Sequence, residues 1–199
     1  MFTGIIQKVG KVIEKKELSG DIQFTIKTHF DEPEQIKLGD SIAMDGVCLT
    51  VTDKQDDVVR VDVSVETMNK TTVNHWQNGS QVNLEPAMTL QDQLGGHLVS
   101  GHVDAVGQCV GRTPSARSEV FTFEIPKNLQ QFVVDKGSIT INGVSLTVNT
   151  INESIISINL VPHTMSHTNL GALNVGDPVN IEVDTIARYV AKMLQPHQA

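Results

Sequence analysis

The chain has 199 residues, of which 39% are hydrophobic and 19% charged, and its formal net charge at pH 7 is −8. The excess of acidic groups argues against nucleic acid as a partner. The sequence has no apolar run of the ~18 residues that a membrane span needs, and it begins without the pattern of a secretory signal. Cys48 and Cys109 occupy unrelated positions, so we expect reduced thiols in a cytoplasmic protein.

The first half of the chain reads as a series of short strands. Residues 21–28 and 58–65 alternate between apolar and polar side chains, which is the period of a half-buried strand. Asp45-Gly46 lies between two apolar runs and predicts a tight hairpin. The predicted strands are residues 1–14, 21–28, 40–44, 47–53, 58–65 and 79–85, with one helical turn at 67–72.

The second half follows the same order. Asn142-Gly143 takes the place of the Asp-Gly turn, and the predicted strands are residues 121–125, 138–141, 144–150, 155–161 and 179–183. Many short strands with frequent turns favour an all-β sandwich or small barrel. In the tail, Ile186, Tyr189 or Val190, and Met193 or Leu194 fall at helical spacing. A helix of about 10 residues is marginal alone in water, so we expect it to pack on this chain or on other subunits.

A hexapeptide occurs twice and divides the chain. Residues 46–51 read GVCLTV and residues 143–148 read GVSLTV, so that Cys48 corresponds to Ser145 at an offset of 145 − 48 = 97. The same offset relates Gly4 to Gly101 and Glu85 to Glu182. One register held over this length indicates a tandem duplication. We therefore predict two homologous domains, residues 1–97 and 98–184, and a tail at 185–199.

The hexapeptides contain the first candidate site residues. Residues i and i+2 of a strand face the same side, so Cys48 shares a face with Thr50, and Ser145 with Thr147. These side chains either fill a barrel core and bond backbone groups, or they contact a polar ligand. The second reading accounts better for a polar pair in both copies, since buried hydroxyls need partners.

Histidines supply the second set of candidates. His102 follows Gly101 and is either a structural histidine or an acid–base group near the neutral pH at which histidine titrates. Glu66 and His163 precede the equivalent Thr67 and Thr164, and the simpler reading of both is a solvated polar residue. The pairs His97/His102 and His163/His167 have no cysteine pair or His-Glu-x-x-His motif beside them, so we expect no metal site.

These motifs together resemble the riboflavin synthase family over nearly the whole chain. The resemblance rests on the N-terminal MFTGII, both hexapeptides, Glu66-Thr67, Pro162-His163-Thr164, and GGHLVSGHVD at residues 95–104. One departure is Pro86, where the family has a basic residue, and it puts in doubt only a local contact at a strand end. The resemblance implies two tandem six-stranded Greek-key β-barrels related by internal duplication, with a C-terminal helix that assembles a homotrimer.

The resemblance also implies an activity. Two molecules of 6,7-dimethyl-8-ribityllumazine dismutate by transfer of a four-carbon unit, giving riboflavin and 5-amino-6-ribitylamino-2,4-pyrimidinedione without a metal or organic cofactor. The site lies between the N-terminal barrel of one subunit and the C-terminal barrel of its neighbour. Whether the subunit works alone or within a lumazine synthase capsid is left open. An alternative from another class is a lumazine- or flavin-binding antenna protein, whose relatives have lost much of the Cys-Leu-Thr pattern and the paired second site.

The family's site residues carry over to positions that match its motifs. One pocket takes Cys48, Leu49, Thr50, Asp62, Val63, Ser64, Val65, Glu66, Thr67, Gly101, His102 and Val103. The other takes Gly4, Ile5, Ile6, Ser145, Leu146, Thr147, Leu160, Val161, Pro162, His163, Thr164 and Met165, with Lys136 reaching across to the neighbouring pocket. The groups expected to touch the chemistry are Ser41, Cys48, His102, Ser145 and Asp184.

The substrate suggests a mechanism in which orientation is the main contribution. The methyl group at C7 of the lumazine is acidic, because its anion delocalises into the ring, and His102 or a neighbouring hydroxyl would assist proton removal. Water, or Ser145 with Asp184, would add to the second molecule. Aligning two reactants can supply roughly 7–11 kcal/mol, so we expect no single side chain to be indispensable.

Overall fold

A computed structural model describes residues 1–194 of the chain. The first six strands form a closed barrel in the order β1-β2-β5-β4-β3-β6. All neighbours in this ring are antiparallel, and the order is that of a Greek key. The strands are β1 (Lys8–Leu18), β2 (Asp21–Lys27), β3 (Ser41–Met44), β4 (Val47–Gln55), β5 (Val58–Val63) and β6 (Gln81–Pro86), and the helix α1 (Val65–Lys70) follows β5.

The second half repeats this barrel with one interruption. Its sheet has the order β10-β9-β13-β7-β8-β12-β11. The two end strands, β10 and β11, are consecutive in the chain and together correspond to β4, so the ring closes through Val148 and Asn149. The elements are β7 (Ala105–Ser115), β8 (Ser118–Glu124), β9 (Ser138–Ile141), β10 (Val144–Thr147), β11 (Thr150–Asn152), β12 (Ile155–Leu160), α2 (Pro162–His167), β13 (Pro178–Val183) and α3 (Thr185–Leu194).

Alternating side chains fill the two barrels separately. Inward-facing residues such as Phe24 and Ile42 form the core of the first barrel, and Phe121 and Ile139 belong to that of the second. Each of these four side chains is fully buried. Both predicted hairpin turns are present, and their backbone is left-handed, with φ of 48° at Asp45 and 47° at Asn142. The predicted all-β architecture of duplicated barrels is therefore confirmed.

The predicted strand at residues 1–14 is wrong at its start. The strand of the first barrel begins at Lys8, while Phe2 forms an isolated bridge with Val99. The apolar run at residues 1–6 has the composition of a strand, but it bonds partly to the other half of the chain, through Phe2 with Val99 and Gly4 with Ser145. The strand β7, the helix α2 and the extension of β1 to Leu18 also lay outside the predicted ranges.

The two barrels meet at a buried polar seam. The Asn83 side-chain amide donates to the Asn142 carbonyl at 3.0 Å, and the equivalent Asn180 amide donates to the Asp45 carbonyl at 2.9 Å. At its centre the two turns touch, since a Cβ on Gly46 would lie 2.8 Å from the backbone nitrogen of Gly143. The seam therefore has approximate twofold symmetry and leaves no room for a side chain at its centre.

The C-terminal helix α3 matches the predicted helical tail at 185–194, and residues 195–199 lie outside the described residues. It presents an exposed apolar face. That face consists of Ile186, Tyr189, Val190, Met193 and Leu194. Within residues 1–194, no helix has the length and apolar character to cross a bilayer.

Candidate active site

The repeated hexapeptides place their polar side chains on the outside of the barrels. Leu49 points into the first core, while Cys48 is half-buried and Thr50 is exposed. Ser145 and Thr147 have the same arrangement in the second half. The reading in which these side chains fill a barrel core is therefore wrong, and they are available to a ligand.

A segment from each half crosses onto the hexapeptide of the other half. The Cys48 backbone N–H donates to the Gly101 carbonyl at 2.8 Å, and the Ser145 N–H donates to the Gly4 carbonyl at 2.8 Å. Gly4 has φ of 75° and Gly101 has φ of 77°, which disfavour any other residue. A Cβ on Gly4 would lie 2.6 Å from Ser145 Cβ, and one on Gly101 would lie 2.7 Å from Cys48 Cβ. Each candidate pocket therefore contains backbone from both halves.

Two buried glutamates hold these crossing segments. Glu85 accepts hydrogen bonds from the backbone N–H groups of Thr3 at 2.6 Å and Gly4 at 2.9 Å. Glu182 accepts from the N–H groups of Ser100 at 2.7 Å and of Gly101 and His102 at 3.0 Å each. Burial raises the pKa of both carboxyls, and the amide hydrogen bonds oppose that shift.

The sequence related Glu85 to Glu182 by the offset of 97 but did not indicate what either side chain binds. Both interrupt a strand that is otherwise buried, with side chains of 4% and 1% relative exposure. A carboxylate in such a position needs compensating donors, and that requirement was the available indication of their role.

Apolar contacts continue each crossing segment. Val103 and Met68 both pack against the first core, and the equivalent Ile6 and Met165 both pack against the second. In each half, the other predicted residues lie where a central strand ends and a short helix begins. These are Asp62, Val63, Ser64, Val65, Glu66 and Thr67 at the start of α1, and Leu160, Val161, Pro162, His163 and Thr164 at the start of α2. Of the two predicted sets, the described hydrogen bonds bring Cys48 to Gly101 and Ser145 to Gly4.

Ser145 has a partner that the sequence reading did not assign. His97 Nδ1 lies 2.8 Å from Ser145 Oγ, while His97 Nε2 is buried without a hydrogen-bond partner among the described residues. Burial lowers the pKa of His97, and the nearby Asp184 opposes that shift. His97 is therefore neutral near pH 7. The preceding Gly96 packs so tightly that a Cβ there would lie 2.7 Å from Ser145 Cβ. The glycines before His97 were therefore the feature of the sequence that could have indicated a close contact at this histidine.

His102, Asp184 and Lys136 lie in three different surroundings. His102 is exposed at the end of its crossing segment. Asp184 Oδ1 accepts a hydrogen bond from the Ile186 N–H at 2.8 Å, so one carboxylate oxygen caps the first turn of α3. Lys136 is exposed, has φ of 63°, and contacts neither pocket in the single chain through a described hydrogen bond or ion pair.

Ser41 lines a cavity of about 930 Å³ beside the first barrel. The cavity lies between β3 and the linker that follows β6, and Thr3, Ile5, Glu85 and Gly95 contribute to its wall. Ser41 pairs with Thr50 across the β3–β4 ladder. Because directly paired residues of antiparallel strands face the same side, Ser41 extends the outward polar face that contains Cys48.

In the part of the chain that is described, no group of three or more His, Cys, Asp or Glu side chains is arranged to hold a metal ion. The rings of His163 and His167 stack at 4.0 Å between centroids on α2. His167 Nδ1 is occupied by short contacts to Ser166 Oγ and the His163 carbonyl, each 2.9 Å long. This pair therefore serves as a local contact of the helix.

Comparison with known proteins places this architecture in a family. The sequence profile of the lumazine binding domain matches residues 3–87 and again residues 100–184. The riboflavin synthase of Brucella abortus (strain 2308) is 42% identical over 200 residues, covering 98% of both chains. That of Bacillus subtilis (strain 168) is 40% identical over 194 residues, covering 98% of this chain and 90% of the relative.

Solved structures agree with the sequence relatives. LumP complexed with riboflavin aligns with a TM-score of 0.85 at 30% identity, covering 92% of this chain and 99% of that chain. LumP complexed with 6,7-dimethyl-8-(1'-D-ribityl) lumazine aligns with a TM-score of 0.83 and the same coverage. The chain therefore belongs to the riboflavin synthase family of duplicated lumazine binding domains.

Proposed function

We propose that this protein is a riboflavin synthase, a transferase that makes riboflavin from two molecules of 6,7-dimethyl-8-ribityllumazine. One molecule gives up a four-carbon unit and leaves as 5-amino-6-ribitylamino-2,4-pyrimidinedione, and the other gains that unit. The observation that carries this proposal is the pair of equivalent crossings, in each of which the outward-facing hexapeptide of one half is bonded to a crossing segment of the other. Two copies of one substrate require two similar pockets.

The difference between the pockets supports different roles for the two substrate molecules. At the second pocket, neutral His97 can accept the proton of Ser145 Oγ and so assist that oxygen, or a water beside it, in adding to one lumazine. At the first pocket, exposed His102 on its Glu182-held segment would take a proton from the C7 methyl group of the other lumazine. Cys48 and Thr50 contact the ring system in this assignment.

Assembly as a homotrimer would complete the site. The polar side chains of both hexapeptides face outward, so a ligand bound beside them would remain exposed in the single chain. The exposed apolar residues of α3 provide a surface that a second copy would bury. In such an assembly the first pocket of one subunit faces the second pocket of its neighbour, and Lys136 reaches across. We place the assembled protein in the cytoplasm.

The test is to mix ligand-free protein with 6,7-dimethyl-8-ribityllumazine alone and follow its absorbance together with riboflavin fluorescence. The proposal requires one riboflavin for every two lumazines consumed, over many turnovers and without added metal or cofactor. Saturable binding with an unchanged lumazine spectrum would contradict it. His97→Ala should lower turnover by about 10–100-fold, with His75→Ala, an exposed histidine of the first half, as the control.

That second outcome would instead support an antenna protein that holds a lumazine or flavin as a fluorophore. The observation that favours this alternative is the likeness to LumP complexes with riboflavin and with the lumazine. The intact hexapeptides in both halves and the His97–Ser145 contact favour the enzyme. Protein purified with tightly bound, unreacted fluorophore would decide for the antenna.

A further inference from the structure

The segment that carries His102 is connected to helix α3 by a cluster of charged side chains. Arg188 on α3 places one guanidinium nitrogen 3.0 Å from Asp104 Oδ1 and another 3.6 Å from Glu182 Oε1. Glu182 is the carboxylate that accepts the N–H groups of residues 100–102. The Thr185 hydroxyl also lies 3.2 Å from that of Ser100. Residues 185 and 188 share one face of the helix, and that face lies on the crossing segment.

The duplicated half shows that holding the segment does not require this cation. Glu85 binds the equivalent N–H groups of residues 3 and 4 with no arginine or lysine beside it in a described ion pair. The positions that correspond to Arg188 and Asp104 are Gln91 and Gln7, which are uncharged. The charged cluster is therefore an addition specific to the copy that carries His102.

The geometry of the cluster shows how it acts on the segment. Asp104 binds Arg188 through Oδ1 and accepts the Val183 N–H through Oδ2 at 2.9 Å, so it ties the end of the crossing segment to the end of β13. The Arg188 nitrogen nearest Glu182 is buried and has no hydrogen-bond partner among the described residues. A planar guanidinium presents separate nitrogens to the two carboxylates in a fixed geometry, which a single ammonium cannot do.

We propose that Arg188 is a positioning residue through which α3 fixes the segment carrying His102 against Cys48. The first pocket is then completed only when α3 packs on the segment carrying His102. This inference rests on the proposed function for its effect on turnover, but the position of the segment can be measured without substrate.

The experiment compares Arg188→Gln with the wild-type protein by hydrogen–deuterium exchange of ligand-free samples. Exchange should quicken in a peptide covering residues 98–104 and stay unchanged in one covering residues 3–7, where Glu85 makes the equivalent contacts. Turnover should fall by about 10-fold with less than about 2-fold change in KM, because misplacing a catalytic group lowers the chemical step. Arg117→Gln removes the same charge from an exposed turn and should change none of these.

Two results would overturn the inference. Unchanged exchange at residues 98–104 shows that Arg188 does not hold the segment, and equal acceleration at both peptides shows a loss of overall stability instead. If Arg188→Gln does not fold, Arg188→Lys decides in its place, and faster exchange at 98–104 than in the wild type, with residues 3–7 unchanged, is the supporting result. If the wild-type protein makes no riboflavin, the proposed function fails while the exchange comparison still tests Arg188.

Discussion

The two halves of this chain share their framework and differ where a ligand would lie. Gly4 and Gly101, Glu85 and Glu182, and the seam asparagines occupy equivalent positions with equivalent hydrogen bonds. The outward residues differ, with a thiol at Cys48 against the hydroxyl of Ser145. Duplication has thus kept the residues that shape the backbone, whereas the outward residue in the third position of the hexapeptide has changed from a thiol to a hydroxyl.

The segments that follow the two barrels differ more than the barrels do. The linker at residues 87–97 brings His97 to Ser145 at the second pocket. The equivalent segment after β13 is α3, which brings Arg188 to the first pocket through Glu182. The flanking segments thus add a different contact to each half, and these contacts come on top of the Cys48/Ser145 difference within the repeated strands.

The largest expected effect comes from the crossing glycines. Gly4→Ala and Gly101→Ala each force a Cβ into the facing hexapeptide and require a left-handed backbone that alanine disfavours. Together these terms should cost about 2–5 kcal/mol of unfolding free energy, and turnover should be lost. Urea denaturation measures the first effect. Gly20→Ala, which also has positive φ but nothing within 4 Å, is the control, and equal losses in all three variants would contradict the overlap.

The seam offers a comparison of a carboxylate with an amide at equivalent positions. Asp45 Oδ1 accepts from the Asn83 N–H and the Asn169 side chain, each at 2.8 Å. Asn142 Oδ1 accepts the Asn180 N–H at 2.8 Å, and no described side chain adds a second donor. Asn142→Asp should therefore destabilise the chain by on the order of 2 kcal/mol at pH 7, because its charge lacks donors. Thermal unfolding checks this, and an unchanged midpoint would show that the seam admits a second carboxylate.

Asp45→Asn should have a smaller effect at neutral pH and a distinctive pH dependence. Burial raises the pKa of Asp45 from 3.8 to about 7, against the opposing hydrogen bonds of Asn83, Asn169 and Trp76. The folded protein therefore retains a proton that the unfolded chain releases, and this contribution is complete below 3.8 and lost as the pH rises to about 7. The difference in unfolding free energy, wild type minus variant, should fall across that range.

Urea titrations of both proteins at several pH values from 4 to 8 test this slope. The shifts of Glu85 and Glu182 are common to both proteins and cancel in the difference. Parallel curves would mean that Asp45 is ionised throughout, stabilised fully by its three donors.

The smallest effect is expected at Lys136, which occupies the left-handed conformation that Gly39 supplies in the first half, with φ of 63° against 88°. Lys136→Gly relieves about 1 kcal/mol of backbone strain in the folded state. Glycine also raises the backbone entropy of the unfolded chain, which offsets about half of that gain. Stability should rise by about 0.5 kcal/mol while turnover falls, if the lysine reaches a neighbouring pocket. Denaturation and the riboflavin assay on one preparation check both; a variant that is more stable and equally active would remove Lys136 from the site.

The fold could be predicted because its determinants are local and occur twice. The Asp-Gly and Asn-Gly turns, the alternation in β2, β5 and β12, and the shared offset each constrain the chain over short distances. The placement of residues 2–6 could not be predicted, because an apolar run fits either barrel and its contacts are long-range. The contact of His97 with Ser145 joins residues 48 apart, and no spacing rule connects them.

The resemblance was enough to name and group the candidate site residues. It did not identify the residues that hold the site together. Glu85, Glu182 and the seam asparagines appear in the sequence as ordinary polar members of strands. Their role depends on their burial and on the backbone groups that lie within hydrogen-bond distance of them, neither of which can be read from the sequence. Asp184 was expected to contact the reacting groups. In the structure, one of its carboxylate oxygens accepts a hydrogen bond from the Ile186 N–H at the start of α3.

The exchange of segments between halves also has a mechanical consequence. Tandem domains joined by a linker usually part under tension and then unfold one after the other. Here the halves cannot part without pulling Gly4 away from Ser145 and Gly101 away from Cys48. A chain stretched from its ends should therefore lose both pockets in its first rupture, even though each barrel keeps a core of its own.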